Sequence, residues 1–268
     1  MFLLTLKYNP YKYRFAHAPE LNDVLHLTGR GITELKCLEP FVNLLSIHLT
    51  SNAITTLHGL RPLRKLRSLH VAFNSISTLD GVENLTELRF IDVSNNNKLH
   101  CLSAIAYHDS IEVILCTNNK SIKSIEALST LPSLTTLDVS NCAITGGTWG
   151  GEEEDSDDDS RTNNEKSLAQ ICKTKRLASL NLNGNPILTK ISQPFRAFCI
   201  AIAPELQNLN EIPIFTKERR ISEAYILRGG RQAVKAEKQA IEEEEANERE
   251  EQWDWFNNLV QMEKQKCT

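Results

Sequence analysis

The chain has 268 residues, 41% of them apolar and 24% charged, enough to bury a sizeable core in one or two domains. Its formal net charge of −4 lacks the basic balance of a general nucleic-acid binder, so nucleic acid is not an expected partner. No apolar run approaches the ~18 residues of a membrane-crossing helix, so a membrane is not an expected partner either.

The seven cysteines, at positions 37, 101, 116, 142, 172, 199 and 267, are odd in number, widely spaced and without a CxxC pair. That usage reads as reduced thiols in an intracellular, cytoplasmic protein. The opening run from Met1 to Leu6 is too short for a signal-peptide core and has no basic residue before it. Residues 1–21 carry Tyr8, Tyr11, Tyr13 and Phe15 between turn formers, and are expected to cap whatever follows.

From residue 22 the apolar positions become periodic. Leu44, Ile47, Leu49, Asn52, Ile54, Leu57, Leu60 and Leu63 fall at steps of 3, 2, 3, 2, 3, 3 and 3. Leu66, Leu69, Val71, Asn74, Ile76, Leu79, Val82 and Leu85 repeat those steps 22 residues on. This is the leucine-rich repeat signature. In it a Leu-x-Leu triplet makes a short strand with inward leucines, and the other apolar positions fill the coil. An asparagine then serves the backbone groups where the coil turns and cannot close its own hydrogen bonds. One coil cannot bury its own faces, so the coils must stack. Repeats start near Asn22, Leu44, Leu66, Leu88, Ile111, Leu134 and Leu177.

The expected fold is therefore an α/β leucine-rich repeat solenoid of about seven 22–23-residue repeats with a parallel concave sheet over residues 22–193. An insertion at 145–166 interrupts it, with seven carboxylates among the eight residues 152–159. Glycines and like-charge repulsion predict a disordered loop there, with Ser156 a candidate for an acid-directed kinase. Residues 194–228 form the expected C-terminal cap: 194–203 are apolar at helical spacing, and Leu206, Leu209, Ile212, Ile214 and Phe215 follow to close the stack. The tail, 229–268, reads as a charged helix after Gly229-Gly230. Its Trp253, Trp255, Phe256 and Leu259, with Val260 and Met262, offer an apolar stripe to a partner.

The chain contains no GxSxG, HExxH, P-loop or GxGxxG motif, so no enzyme activity, cofactor or small-molecule substrate is expected. The outward strand positions carry the working surface instead. The position between the strand leucines reads His26, His48, His70, Asp92, Leu115, Asp138 and Asn181, and the position two earlier reads Val24, Ser46, Ser68, Phe90, Val113, Thr136 and Ser179. Neighbouring imidazoles of one column point the same way and do not converge on a tetrahedron, so no metal site is expected. Phe73, Phe90, Val113 and Leu115 form an expected apolar cluster, which with His48, His70, Asp92 and Asp138 makes a candidate protein-binding face.

The 22-residue repeats with Ile after Asn resemble the short intracellular leucine-rich subclass shared by a type-1 protein phosphatase regulator and a leucine-rich subunit of an RNA–protein particle. A narrower resemblance lies near the end, in Asn183-Gly184-Asn185-Pro186, Phe195-Arg196, Pro213-Ile214-Phe215, Glu218-Arg219-Arg220, Glu223-Ala224 and Gly229-Gly230. These residues are similar to the C-terminal cap of the dynein axonemal assembly factor 1 family. Asn210 and Glu211 depart from it where that family has two aspartates, and Tyr225 where it has a tryptophan. The resemblance implies a cilium or flagellum axoneme setting, with axonemal dynein, microtubule-associated or assembly proteins as partners. Both alternatives, phosphatase regulation and an RNA-particle scaffold, stay open at this point.

Overall fold

The computed structural model describes residues 19–145, 168–172, 174–189 and 194–266. Residues 1–18 of the expected N-terminal cap, the acidic run with Ser156, and Cys267 lie outside the described residues. The chain divides into two compact units, Met1–Pro213 and Ile214–Thr268, a boundary that falls inside the stretch 194–228.

In the first unit, seven three-residue strands lie side by side in sequence order. They are β1 (Val24–His26), β2 (Ser46–His48), β3 (Ser68–His70), β4 (Phe90–Asp92), β5 (Val113–Leu115), β6 (Thr136–Asp138) and β7 (Ser179–Asn181). All neighbouring pairs are parallel and in the expected register, with Leu25, Ile47, Leu69, Ile91, Ile114, Leu137 and Leu180 opposite one another. Each of these central side chains is buried, and its neighbours on the strand are more exposed, except Asn181 on β7, which is buried as well. The register survives the insertion: β6 pairs with β7 as if the intervening residues were absent.

The repeat asparagine explains why the coils stay in step. Asn96 Nδ2 donates to Val93 O of its own coil at 2.9 Å and to Val71 O of the preceding coil at 3.1 Å, while its Oδ1 accepts from Ile76 N at 3.1 Å. Asn52, Asn74, Asn119 and Asn185 make the same two donations. At the sixth coil Cys142 takes the slot, and its Sγ donates to Cys116 O at 3.1 Å. The opposite side is as tight at Gly59 and Gly81. A Cβ on Gly59 would lie 2.0 Å from the carbonyl oxygen of Leu35, so only glycine fits where those coils touch.

The C-terminal end is closed by α1 (Phe195–Ile202) and a hairpin of β8 (Asn208–Leu209) and β9 (Ile212–Pro213). β8 continues the parallel sheet and β9 turns back on it. The turn residues Asn210 and Glu211 both have positive φ, 53° and 65°, as a two-residue hairpin of this hand requires. Arg196 ties the closure together, donating to Leu209 O at 3.1 Å and Pro213 O at 3.0 Å. Phe198, Cys199, Ile200, Leu206 and Leu209 are buried as expected. Ile212, expected to help close the stack, is instead 55% exposed, because the chain reverses at Asn210-Glu211, and Phe215, expected to do the same and 66% exposed, already belongs to the second unit.

In the second unit, α2 (Thr216–Leu227) and α3 (Arg231–Lys266) form an antiparallel hairpin across Gly229-Gly230, both at positive φ. Arg220 bonds Glu237 at 2.7 Å and also Glu244, Lys217 pairs with Glu245, and Arg228 reaches Glu237 at 2.9 Å.

Replacing Asn96 by Ala strips partners from buried backbone groups in two coils, each worth about 1–3 kcal/mol when left unsatisfied. Asn96 is fully buried whereas Asn52 is half-buried and within reach of water. Urea denaturation is expected to show Asn96→Ala clearly less stable than Asn52→Ala.

Candidate functional site

Two rows of outward side chains run across the seven parallel strands, one from the first position of each strand and one from the third. Equivalent residues of parallel neighbours sit about 4.8 Å apart. Rings in such a row can therefore stack. His26 and His48 do so with centroids 4.5 Å apart, and His48 and His70 at 4.2 Å with planes only 9° apart. The column then crosses to the other row, where Phe90 leans on His70 at 4.8 Å.

Serines two residues earlier hold these rings. Ser46 Oγ lies 3.3 Å from His48 Nε2, and Ser68 Oγ 2.9 Å from His70 Nε2. Partial burial, followed by the neighbouring imidazoles His70 and His26, pushes the His48 pKa below its ordinary value. Burial also lowers that of His70, with Asp92 opposing and His26 adding to the drop. His48 and His70 are thus both biased toward the neutral ring.

The apolar residues separate into two groups. Phe90, Val113 and Leu115 lie on β4 and β5, half-buried, and Phe90 pairs with Val113 in register. Phe73 is not on a strand. It sits in the turn after β3, in the slot filled elsewhere by Gly29, Ser51, Asn95, Asn118, Asn141 and Gly184. Every residue in that slot has positive φ, and Phe73 adopts 56° with 54% of its surface exposed. Gly and Asn tolerate this left-handed conformation, and a bulky ring there is an outlier. The backbone leaves it no alternative: Phe73 N donates to Ser94 O at 2.9 Å, as its counterparts do to the following coil.

The acidic positions are less available than the sequence suggests. Asp92 Oδ1 accepts from Ser94 N at 3.1 Å, and Asp138 Oδ1 from Ser140 N at 3.0 Å. Asp138 Oδ2 also accepts from Asn181 Nδ2 at 3.2 Å, and that amide donates in turn to Glu211 at 3.1 Å. Asp138 is therefore committed to the fold at its end of the sheet. Sequence reasoning passed over Glu211, whose turn brings it to Asn181, and the serine partners of the histidines. The serines were legible, since an outward residue two before another shares its face of the strand. On α3 the tail residues Trp253, Trp255, Phe256 and Leu259 are exposed, and the rings of Trp253 and Phe256 lie 6.0 Å apart.

A family model described as Leucine Rich repeats (2 copies) matches residues 64–107, the stretch that holds Phe73, Phe90 and Asp92. No curated protein sequence matches the chain. Among solved structures it is similar to an internalin, InlF, of Listeria monocytogenes, with TM-score 0.54 and 18% identity over 70% of this chain and 47% of that one. It is also similar to internalin C2 of the same organism, with TM-score 0.52 and 19% identity over 72% of this chain and 80% of that one. The chain spans about half the length of the first of these. At such identities the likeness is one of fold.

The lowered histidine pKa values carry a sign. As pH falls through the ordinary value of 6.5, the unfolded chain takes up protons before the folded His48 and His70 do. Their contribution to stability is present above that value and is lost as pH falls toward the folded values. Thermal melts between pH about 7.5 and about 5 should show a smaller drop in Tm for a His48→Gln/His70→Gln double variant than for the parent.

Proposed function

We propose that this leucine-rich repeat solenoid is a non-enzymatic adaptor that grips one protein partner on its inner strand face and turn rim, and offers a second partner the end of α3. A parallel-strand solenoid is suited to protein binding, because stacked coils present long rows of side chains on a rigid backbone. The single observation that carries the reading is Phe73. A phenylalanine held half-exposed in a left-handed conformation costs the fold about 1 kcal/mol or more and returns little by burial. Strain of that kind is kept where the side chain serves something other than stability. Phe90, Val113 and Leu115 on the adjoining strands and His48 and His70 beside them supply the rest of the contact surface, with Asp92 at its edge. Asp138, tied to Ser140 and Asn181, is a minor member.

The setting we infer is a cilium or flagellum, as an axonemal component bound to dynein or doublet microtubules or as a factor in cytoplasmic dynein assembly. It is supported by the resemblance of residues 183–230 to the dynein axonemal assembly factor 1 cap. Several of those residues have structural work in this chain. Asn185 bridges two coils and Arg196 fastens the closing hairpin, so the setting is tested by location rather than by mutating the cap. A tagged copy retained in detergent-extracted axonemes supports the built-in component, and one confined to the cell body supports assembly. A nuclear signal rejects both.

Stability and binding should move in opposite directions at Phe73. Phe73→Asn relieves the strained backbone and is expected to raise stability by about 1 kcal/mol. The same change, and Phe90→Ala, should abolish recovery of the partner in quantitative affinity purification against the parent chain. Undiminished recovery with both variants would overturn the inner-face reading.

A further inference from the structure

The distal half of α3 has a surface that α2 does not use. An α-helix rises 1.5 Å per residue, so α2 at 12 residues covers about 18 Å and α3 at 36 residues about 54 Å. Among the described residues the most distal ion pair from α2 is that of Lys217 with Glu245. Beyond that point Trp253, Trp255, Phe256, Leu259 and Met262 are between 43% and 65% exposed. At 100° per residue these five positions fall within one half of the helix circumference, so they form a single apolar face.

The charge pattern says what kind of partner fits that face. From Glu242 to Asp254 the helix carries eight carboxylates against one base, Arg249. Glu244 and Glu245 are matched by Arg220 and Lys217, but among the described residues no ion pair engages Glu248, Glu250, Glu251 or Asp254. Two of them stand beside an aromatic ring: Glu248, Glu251, Gln252 and Trp255 line a shallow open groove of about 290 Å³. Two carboxylates beside an exposed indole suit a cationic side chain, by charge and by the ring quadrupole.

A second copy of the helix fits poorly. The apolar face spans ten residues, about 15 Å, which is short for the ~1,200 Å² that a stable interface buries. The acidic run must therefore share in the contact: in a parallel self-pair acid would meet acid, and in an antiparallel one only Lys264 and Lys266 of each copy would face the other's eight carboxylates.

We propose that α3 from Glu248 to Met262 is a docking site for a basic amphipathic helix of another protein, whose apolar stripe covers Trp253, Phe256 and Leu259 and whose Lys or Arg side chain enters the Glu248–Glu251–Trp255 groove. The proposal deepens the adaptor reading by giving the second partner's chemistry. It stands apart from the inner-face site, since Phe73 and Phe90 take no part in it.

The test uses the full chain and labelled peptides of about 18 residues, five helical turns. One bears leucine on one face and lysine on the other, and a second has glutamate in place of every lysine. Fluorescence anisotropy should show saturable binding of the basic peptide at least about tenfold tighter than the acidic one, weakening as salt rises. Trp253→Ala/Phe256→Ala should cost about tenfold or more in affinity. Glu248→Gln/Glu251→Gln should weaken binding and flatten its salt dependence, with unchanged circular dichroism for both variants. Phe73→Asn should leave the affinity as it is, which separates this site from the inner face. Equal affinity for the two peptides, no binding of the basic one, or concentration-dependent dimerisation of the chain abolished by Trp253→Ala/Phe256→Ala would overturn the proposal.

Discussion

The structure depends on one side chain repeated at one pitch. Each ladder asparagine spends its amide hydrogens on two carbonyls, one in its own coil and one in the coil before, and its oxygen on a backbone N–H of that earlier coil. The asparagine therefore fixes the spacing of adjacent turns as well as satisfying buried backbone groups that would each cost about 1–3 kcal/mol. Cys142 shows the tolerance of the arrangement: a thiol supplies one donation to Cys116 O, between neighbours that keep the full set. Uniform spacing then makes every other column regular, and the histidine stack at 4.5 and 4.2 Å is that pitch made visible on the inner face.

Regular columns have an electrostatic consequence. Like groups are held closer than they would choose in water, so ionisation at one position is felt at the next. Burial and neighbouring imidazoles both disfavour the charged state of His48, and Asp92 only partly relieves His70. His48 and His70 are thus biased toward the neutral form where their stack runs into Phe90, and a neutral ring costs less to desolvate than a charged one. At the other end the polar members are already occupied, with Asp138, Asn181 and Glu211 bonded to one another. The inner face is graded from stacked rings and aliphatic side chains on β1 to β5 to internally satisfied polar groups at β6 and β7.

How much of this could be read in advance follows from where the information lies. The register of all seven strands was legible, because Leu, Asn and Ile recur at fixed steps and a slip of one residue would turn every apolar side chain outward. The rows of outward residues came with it. The position of Phe73 off the strand was also open to view, since aligning the repeats places it in a slot otherwise given to Gly, Ser and Asn. Its strain was not, for sequence periodicity carries no φ. The exposure of Ile212 was missed because an Asn-Glu turn is a poor hairpin signal, glutamate being an unusual occupant of a positive-φ position. The pairing of α2 with α3 was missed for a different reason. It runs through Arg220, Lys217 and Arg228, and charged residues on polar helices do not announce their partners.

Phe73 separates what the coil demands of its turn from what it merely tolerates. The left-handed turn before each ladder asparagine is held from both sides, by the N–H bond to the next coil and by the asparagine that follows. Because those contacts belong to the backbone and to Asn74, the side chain at 73 has no part in closing the coil. A bulky ring there lowers stability without changing the path of the chain. The same slot in every coil is therefore a place where the solenoid can exchange a residue suited to the turn for one suited to a partner, at a cost confined to that turn. Among the described residues a large hydrophobic side chain occupies it only at Phe73, beside the strand that carries Phe90, so strain and aromatic surface coincide in two adjacent coils.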